Sequence, residues 1–168
     1  MKTKKSKIPE KAICNQYAPI HYKDCYKCAV YTEKEINADD LLVAFWTQMP
    51  GWINLLFKIR NLLVKIVGLK TDGNNPDQLE EAIRYGKPHN IISLSDKTDN
   101  ETIISLDDKH LIAYLGVYIE KNGNNKDIYT TTLVRFKKPL GYIYFYAIYP
   151  FHHLIIKQMI SKTIKNFI

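Results

Sequence analysis

The sequence predicts an α+β fold in which a curved antiparallel sheet grips a long C-terminal helix. Residues 90–137 contain four segments rich in β-branched and aromatic side chains, separated by short turn clusters. Connections this short join antiparallel neighbours rather than the parallel strands of βαβ units. Helical patterns flank this region, and the economical way to bury an aromatic C-terminal helix is to lay it across the concave face of the sheet.

A first strand is predicted at residues 21–31, ahead of the helices. Its alternating pattern places Cys25 and Cys28 on opposite faces of the strand. Together with Cys14 they are the only cysteines, an odd number too small for a disulfide framework. The spacing of Cys25 and Cys28 also admits a redox or zinc site, but their opposite orientations and the absence of a second pair favour a structural role.

Three helical segments precede the four-strand region. The first begins after the N-cap candidate Asn37 and runs to about residue 48. The second covers residues 52–66, where apolar side chains recur at spacings of three and four. Pro76 opens a short acidic helix that stops before Gly86. The strands that follow are predicted at residues 91–94, 101–106, 110–120 and 127–136.

The C-terminal segment has two interpretations. Residues 142–149 have strand-like composition, which would allow one more strand ending before Pro150. Pro139 suits a helix start, and the apolar residues after position 153 continue in helical register. We therefore expect a mostly helical segment, kinked or restarted at Pro150.

Composition and charge limit the class of protein. The 168 residues, 46% hydrophobic and 24% charged, are typical of one soluble globular domain and exclude collagen, coiled coil and wholesale disorder. The net charge of +7 is concentrated in the first eleven residues, which hold five lysines and one glutamate. The sequence thus predicts a disordered Lys-rich tail at residues 1–15 and a single α+β domain at residues 16–168.

The distribution of charged and apolar residues argues against several kinds of partner and cellular location. No apolar run follows the N-terminal lysines as in a secretory signal, and charges interrupt the most apolar stretch, residues 52–69, which excludes a membrane span. A cytoplasmic location is expected. Basic and aromatic residues mix at residues 135–138, but no nucleic-acid-binding motif accompanies them, and no partner of that class is expected. No motif indicates a metal or another cofactor.

The densest polar cluster is residues 107–110, Asp-Asp-Lys-His. On a strand, Asp108 and His110 would share a face and could act as an acid–base pair or as half of a metal site. The alternative is a charged hairpin turn whose side chains cap neighbouring backbone groups, which the position between two strands favours. We further expect Arg60, near an apolar helix stripe, to pair with Asp107 or Asp108.

A curved sheet holding a helix often leaves an apolar cavity between the two. We expect this cavity to bind an apolar or aromatic small molecule. An enzyme of cyclase, isomerase or hydrolase type using Asp108 and His110 remains the alternative, as does a non-catalytic interaction module. Candidate wall residues are Tyr118, Tyr144 and Phe145, and candidate polar anchors are Arg60, His110 and His152.

Three groups of local signatures resemble a known family. They lie at residues 56–61 with 68–69, at residues 106–111, and at residues 140–144 with 148–152. In this order they are similar to the bacterial family of domains of unknown function numbered 2867, over roughly residues 20–163. The resemblance implies a START-like helix-grip fold, whose members often bind apolar ligands, and supports the helix after Pro139. It implies no defined activity.

Overall fold

The structure of the protein, a computed structural model, describes residues 3–53 and 75–167. These residues form six strands, a short 3-10 helix at Ile13–Gln16 and three α-helices. The strands are β1 (Lys4–Lys5), β2 (Tyr22–Tyr31), β3 (Ile92–Lys97), β4 (Glu101–Asp107), β5 (Leu111–Asn122) and β6 (Asn125–Phe136). The helices are α1 (Ala38–Thr47), α2 (Pro76–Tyr85) and α3 (Pro139–Phe167). The predicted α+β class is confirmed.

All six strands belong to one antiparallel sheet with the order β1-β2-β6-β5-β4-β3. Strands β3 to β6 form the predicted meander. The β5–β6 hairpin turns at Gly123, whose φ of 59° lies in the left-handed region that suits glycine. Strand β2 pairs with β6 over its whole length, from Tyr22 opposite Val134 to Tyr31 opposite Asn125. This pairing places β2 second from one edge of the sheet, between the two-residue strand β1 and β6.

The helices cover one side of the sheet, which we call the helix face. Alternate side chains of β2, β5 and β6, among them Tyr26, Leu115 and Ile128, pack there against buried residues of α1, α2 and α3. The other side, the back face, carries Cys25, Tyr118, Tyr129 and Leu133. The described residues therefore bury three apolar clusters: the main core on the helix face, a smaller cluster around Phe136 and Phe145 at the start of α3, and the cluster on the back face.

The N-terminal segment covers the back face. Ala12 and Cys14 are buried against it, and the backbone N–H of Ile13 donates to Glu101 Oε2 at 2.6 Å. The two residues of β1 pair with β2. Residues 3–15, which charge alone assigned to a disordered tail, thus have defined contacts in the structure. The contacts are made by the apolar side chains of this segment and by the carboxylate of Glu101. The number of lysines in the segment gives no information about these contacts.

Helix α3 runs without interruption from Pro139 to Phe167, with Pro150 inside it. The helical interpretation of this segment is confirmed, and the strand alternative for residues 142–149 is wrong. The start of α3 is fixed to the β4–β5 turn because the carbonyl of His110 accepts the backbone N–H groups of Lys137 at 2.8 Å and Lys138 at 3.2 Å. None of the described helices has the length and apolar character to cross a membrane.

The predicted second helix, residues 52–66, lies outside the described residues except for its first two. Arg60 and the signature at residues 56–61 lie outside them as well. The expected ion pair between Arg60 and Asp107 or Asp108 therefore remains a prediction.

The close approach of α3 to the β4–β5 turn gives a stability prediction. A Cβ at Gly141 would lie 2.4 Å from the carbonyl oxygen of His110, whereas a Cβ at Gly51 would meet nothing within 4 Å. Gly141→Ala is expected to lower the free energy of unfolding by about 1–3 kcal/mol, because backbone must move to admit the methyl group. Gly51→Ala is the matched control. Chemical denaturation of both variants measures the effect, and equal stabilities would contradict the packing described.

Candidate functional site

The seam between β2 and α3 contains a cluster of polar and aromatic side chains. Because side chains alternate along a strand, β2 places Tyr22, Asp24 and Tyr26 together on the helix face. Helix α3 brings His152 and His153 against them. We call these five residues the Asp24 cluster.

Asp24 is the centre of the cluster, and its side chain is only 1% exposed. Its Oδ2 atom lies 3.1 Å from His152 Nε2 and accepts the hydroxyl of Tyr22 at 2.6 Å. His153 Nδ1 lies 3.8 Å from the same oxygen and 2.5 Å from the hydroxyl oxygen of Tyr26. The carboxylate thus joins the strand to the helix through direct polar contacts.

These contacts determine the charge state of the cluster. Burial by itself raises the pKa of Asp24, but the hydrogen bond and charge of His152 and the hydrogen bond from Tyr22 outweigh it, so the pKa is lowered from 3.8. Burial, followed by the charge of Asp24, raises the pKa of Tyr26 to about 12. Burial and the hydrogen bond to Asp24 also raise the pKa of Tyr22. At neutral pH the carboxylate is therefore ionised, and both tyrosine hydroxyls keep their protons.

One oxygen of the carboxylate forms no hydrogen bond of good geometry with the described residues. This atom, Asp24 Oδ1, is buried, and the same holds for Oγ1 of Thr132, the residue opposite Asp24 on β6. Thr132 is near enough to help lower the pKa of Asp24, yet no hydrogen bond of good geometry joins the two. Buried polar atoms are nearly always satisfied by protein, water or ligand. The seam therefore presents acceptor capacity that the described side chains do not use.

Aromatic rings surround the Asp24 cluster towards the start of α3. The ring centroid of Tyr22 lies 4.7 Å from that of Phe145 and 5.7 Å from that of Tyr149. Phe145 is also 6.2 Å from the ring of His152. An ionised carboxylate thus lies beside an apolar, aromatic wall.

The structure brings some of the predicted ligand-binding residues together and separates others. His152 is a member of the Asp24 cluster, and Phe145 forms part of its aromatic wall. Tyr144 lies half-buried on α3. Tyr118 lies on the back face, where its ring is 6.0 Å from that of Tyr129, so it cannot line a space between the sheet and α3. Because side chains alternate along β5, Tyr118 lies on the side of the sheet opposite to α3.

The Asp107–His110 segment forms the turn between β4 and β5. The carboxylate of Asp108 accepts the backbone N–H of Lys109 at 2.5 Å, and Lys137 forms an ion pair with Asp107. The backbone carbonyl of His110 binds the start of α3, and its buried Nδ1 atom has no hydrogen-bond partner. These contacts are those of a capped turn, and none of them joins Asp108 to His110.

The two cysteines of β2 lie on opposite faces, as their spacing predicted. Cys25 is buried in the back-face cluster, and Cys28 is buried in the cluster under the helices. Burial raises the pKa of Cys25 to about 11, which leaves the thiol protonated and unreactive at neutral pH. Among residues 3–53 and 75–167, no group of three or more His, Cys, Asp or Glu side chains is arranged to hold a metal ion.

Sequence reasoning missed Asp24. The sequence did contain a signal for it. In the alternating pattern of the strand, Asp24 falls on the same side as Tyr22 and Tyr26. A charged residue on the buried side of a strand needs a partner. That partner is 128 positions away along the chain, on a helix whose orientation the sequence does not specify.

The surroundings of His153 predict a pH dependence of stability. Burial and the positive charges of His152, Lys5 and Lys157 lower its pKa from 6.5, outweighing the opposite effect of Asp24. The unfolded chain therefore takes up this proton at a higher pH than the folded protein does. We expect the free energy of unfolding to fall as the pH decreases from about 7 towards 5.

Replacing the imidazole tests this assignment. His153→Gln removes the titrating group, so we expect the decrease in unfolding free energy over the same pH range to become smaller. Urea denaturation at several pH values measures the slope. His89→Gln, a histidine outside the Asp24 cluster, controls for the loss of an imidazole. A slope in His153→Gln equal to that of the wild-type protein would show that His153 is not the group responsible.

Comparison with known proteins agrees with the signatures in the sequence. No curated protein and no solved structure matches the chain significantly. The family described as "Protein of unknown function (DUF2867)" matches residues 17–159, a range that includes strands β2 to β6 and most of α3. The matched range contains every residue of the Asp24 cluster and the whole meander. The chain therefore belongs to the DUF2867 family.

Proposed function

We propose that this protein binds a small molecule with an apolar or aromatic body and one polar group that donates hydrogen bonds. The ligand lies between the sheet and α3, with its polar group at Asp24. The observation that carries this proposal is the free Oδ1 atom of an ionised, buried carboxylate at the seam. A carboxylate only accepts hydrogen bonds, so it selects an amine, a hydroxyl or an amide N–H.

The surrounding side chains support the same ligand class. Phe145 and Tyr149 offer ring surface to an apolar body, and Thr132 offers a hydroxyl next to the carboxylate. We infer that the scaffold is of the START-like helix-grip type. A six-stranded antiparallel sheet crossed by a long C-terminal helix is the arrangement that this type requires.

A second candidate is acid–base catalysis on a ligand bound at this seam. It is favoured by the contact of 3.1 Å between Asp24 Oδ2 and His152 Nε2. A carboxylate that holds an imidazole fixes its orientation and stabilises its protonated form, and the imidazole then exchanges a proton with the substrate. Asp24 and His152 are better placed for this role than Asp108 and His110, because the contacts of the latter two are those of a turn.

Binding is tested with compounds that share a ring and differ in the polar group. Benzylamine and benzyl alcohol are expected to raise the melting temperature, and toluene to raise it less, because only the first two donate to Asp24. Asp24→Asn is expected to weaken benzylamine binding by about tenfold or more, since a hydrogen bond to a charged group is lost. Asp96→Asn, at an exposed carboxylate, is the matched control. Native mass spectrometry of the purified protein shows whether a small molecule is already bound.

The proposal is overturned if no compound shifts the melting temperature and the native mass equals that of the chain alone. Equal benzylamine affinity in Asp24→Asn and the wild-type protein would also overturn it. If Asp24→Asn does not fold, Thr132→Val provides the same comparison beside the carboxylate. Catalysis is distinguished by His152→Gln, which would keep ligand binding and lose turnover.

A further inference from the structure

We propose that the outer face of α3 docks on a membrane surface containing anionic lipids, and that a groove at its C-terminal end receives a lipid phosphate group. Ile143, Phe151 and Leu154 point away from His152 around the helix axis. Of the lysines involved, Lys157 also reaches the Asp24 cluster, with its Nζ atom 5.8 Å from the centroid of the Tyr26 ring. The variants below change other residues, so they test this proposal separately from the small-molecule site.

The apolar part of this surface lies on the first two-thirds of α3. Five of the eight large hydrophobic side chains exposed in the described residues belong to this helix. At 100° per residue, Ile143, Leu154 and Phe151 lie within about 80° of one another around the axis. The five are Tyr142 (43% exposed), Ile143 (69%), Tyr146 (55%), Phe151 (52%) and Leu154 (49%). Tyr142 and Tyr146 lie further round the axis, with ring centroids 4.0 Å and 6.3 Å from that of Phe136, so the outer patch consists of Ile143, Phe151 and Leu154. Exposed apolar patches mark interaction surfaces, and an aromatic side chain such as Phe151 suits the interfacial region of a bilayer.

The charged part follows on the same face. Lys157, Lys162 and Lys165 are exposed on the last turns of α3. Residues 128–168 contain six basic residues and no acidic residue. Five lysines elsewhere in the described residues form ion pairs with carboxylates, as in the pair of Lys27 with Asp127 at 2.7 Å. No described carboxylate forms an ion pair with the three lysines at the end of α3.

A groove of about 550 Å³ joins this basic end of the helix to the N-terminal segment. The hydroxyl oxygens of Thr3 and Ser161 are 3.0 Å apart within it. All three lysines line the groove, and none of the described residues that line it is acidic. Hydroxyl and ammonium donors around a space of this size suit a phosphate group, whose oxygens only accept.

Among possible partners, only a bilayer uses both parts of the surface. A free phosphate or a nucleic acid would engage the lysines and leave Ile143 and Leu154 in water. A second copy of this chain would cover the apolar side chains. It would also bring together two surfaces that contain lysines and no acidic residue, and like charges repel each other. The lysines do not merely complement the negative end of the helix, since that effect is confined to the last turn, which contains only Lys165.

Vesicle flotation tests the proposal with the full chain. Vesicles of phosphatidylcholine with about one-third phosphatidylglycerol are expected to bind the protein at least tenfold more tightly than pure phosphatidylcholine, and salt is expected to weaken the binding. The variant Phe151→Ser/Leu154→Ser is expected to reduce binding at least fivefold. Tyr85→Ser, at an exposed aromatic of α2, is its matched control and is expected to bind as the wild-type protein does.

The charge is tested separately. Each lysine near an anionic surface contributes about fivefold in affinity, so Lys162→Gln/Lys165→Gln is expected to lose at least tenfold. Lys109→Gln, at an exposed lysine of the β4–β5 turn, is the control. Inorganic phosphate is expected to compete only weakly, because it replaces the headgroup contact but not the apolar one.

Four results would overturn the proposal. The first is equal binding to neutral and anionic vesicles, and the second is binding by the variant Phe151→Ser/Leu154→Ser that equals that of the wild-type protein. The third is full competition by phosphate. The fourth is self-association in sedimentation that Phe151→Ser/Leu154→Ser abolishes. The last would assign the face to a second copy of the chain. The stability of the same variant is an internal check. A loss of more than about 1 kcal/mol would show that this chain itself covers the face, which would also exclude docking.

Discussion

The burial of one carboxylate, that of Asp24, constrains how the C-terminal helix lies on the sheet. An ionised group with 1% exposure costs several kcal/mol unless it is paired. Strand β2 supplies one partner, the hydroxyl of Tyr22, and the other comes from His152 on α3. Helix α3 must therefore turn His152 towards the sheet, and the opposite side of the helix is then directed away from it. The proposed small-molecule site and the proposed membrane-binding surface of α3 both depend on this one orientation.

The two sides of α3 have different chemistry for this reason. The side towards the sheet combines Phe145 and Tyr149 with the polar contacts of His152, and further along it buries Met159 and Ile160 in the main core. The outer side contains apolar residues followed by lysines, with no acidic residue between them. A helix that only covered a sheet would have a polar outer side. Its exposed apolar residues therefore indicate a role beyond packing.

Alternation is a property of short windows, and it was sufficient to predict the meander. Spacing alone did not decide the C-terminal segment, because residues 142–149 also have strand-like composition, and the family resemblance supported the helix. Neither the local patterns nor the resemblance predicted which segment covers the back face. That depends on contacts such as Ile13 with Glu101, 88 residues apart. The same limit applies to the site. The helical pattern of the C-terminal segment gave His152 and Phe145 as candidates, and both lie near Asp24. Asp24 itself was missed, and Tyr118 was assigned to the face that α3 covers. The sequence does not show which face of a strand α3 covers, so it could not decide either residue.

A double-mutant cycle between Asp24 and His152 tests the central claim most directly. The free energies of unfolding are measured for the wild-type protein, Asp24→Asn, His152→Gln and the double variant, which isolates the interaction between the two side chains. A buried, hydrogen-bonded pair predicts a coupling of about 1 kcal/mol or more. A coupling below about 0.3 kcal/mol, the level at which independent sites add, would show that this contact does not hold α3 to the sheet.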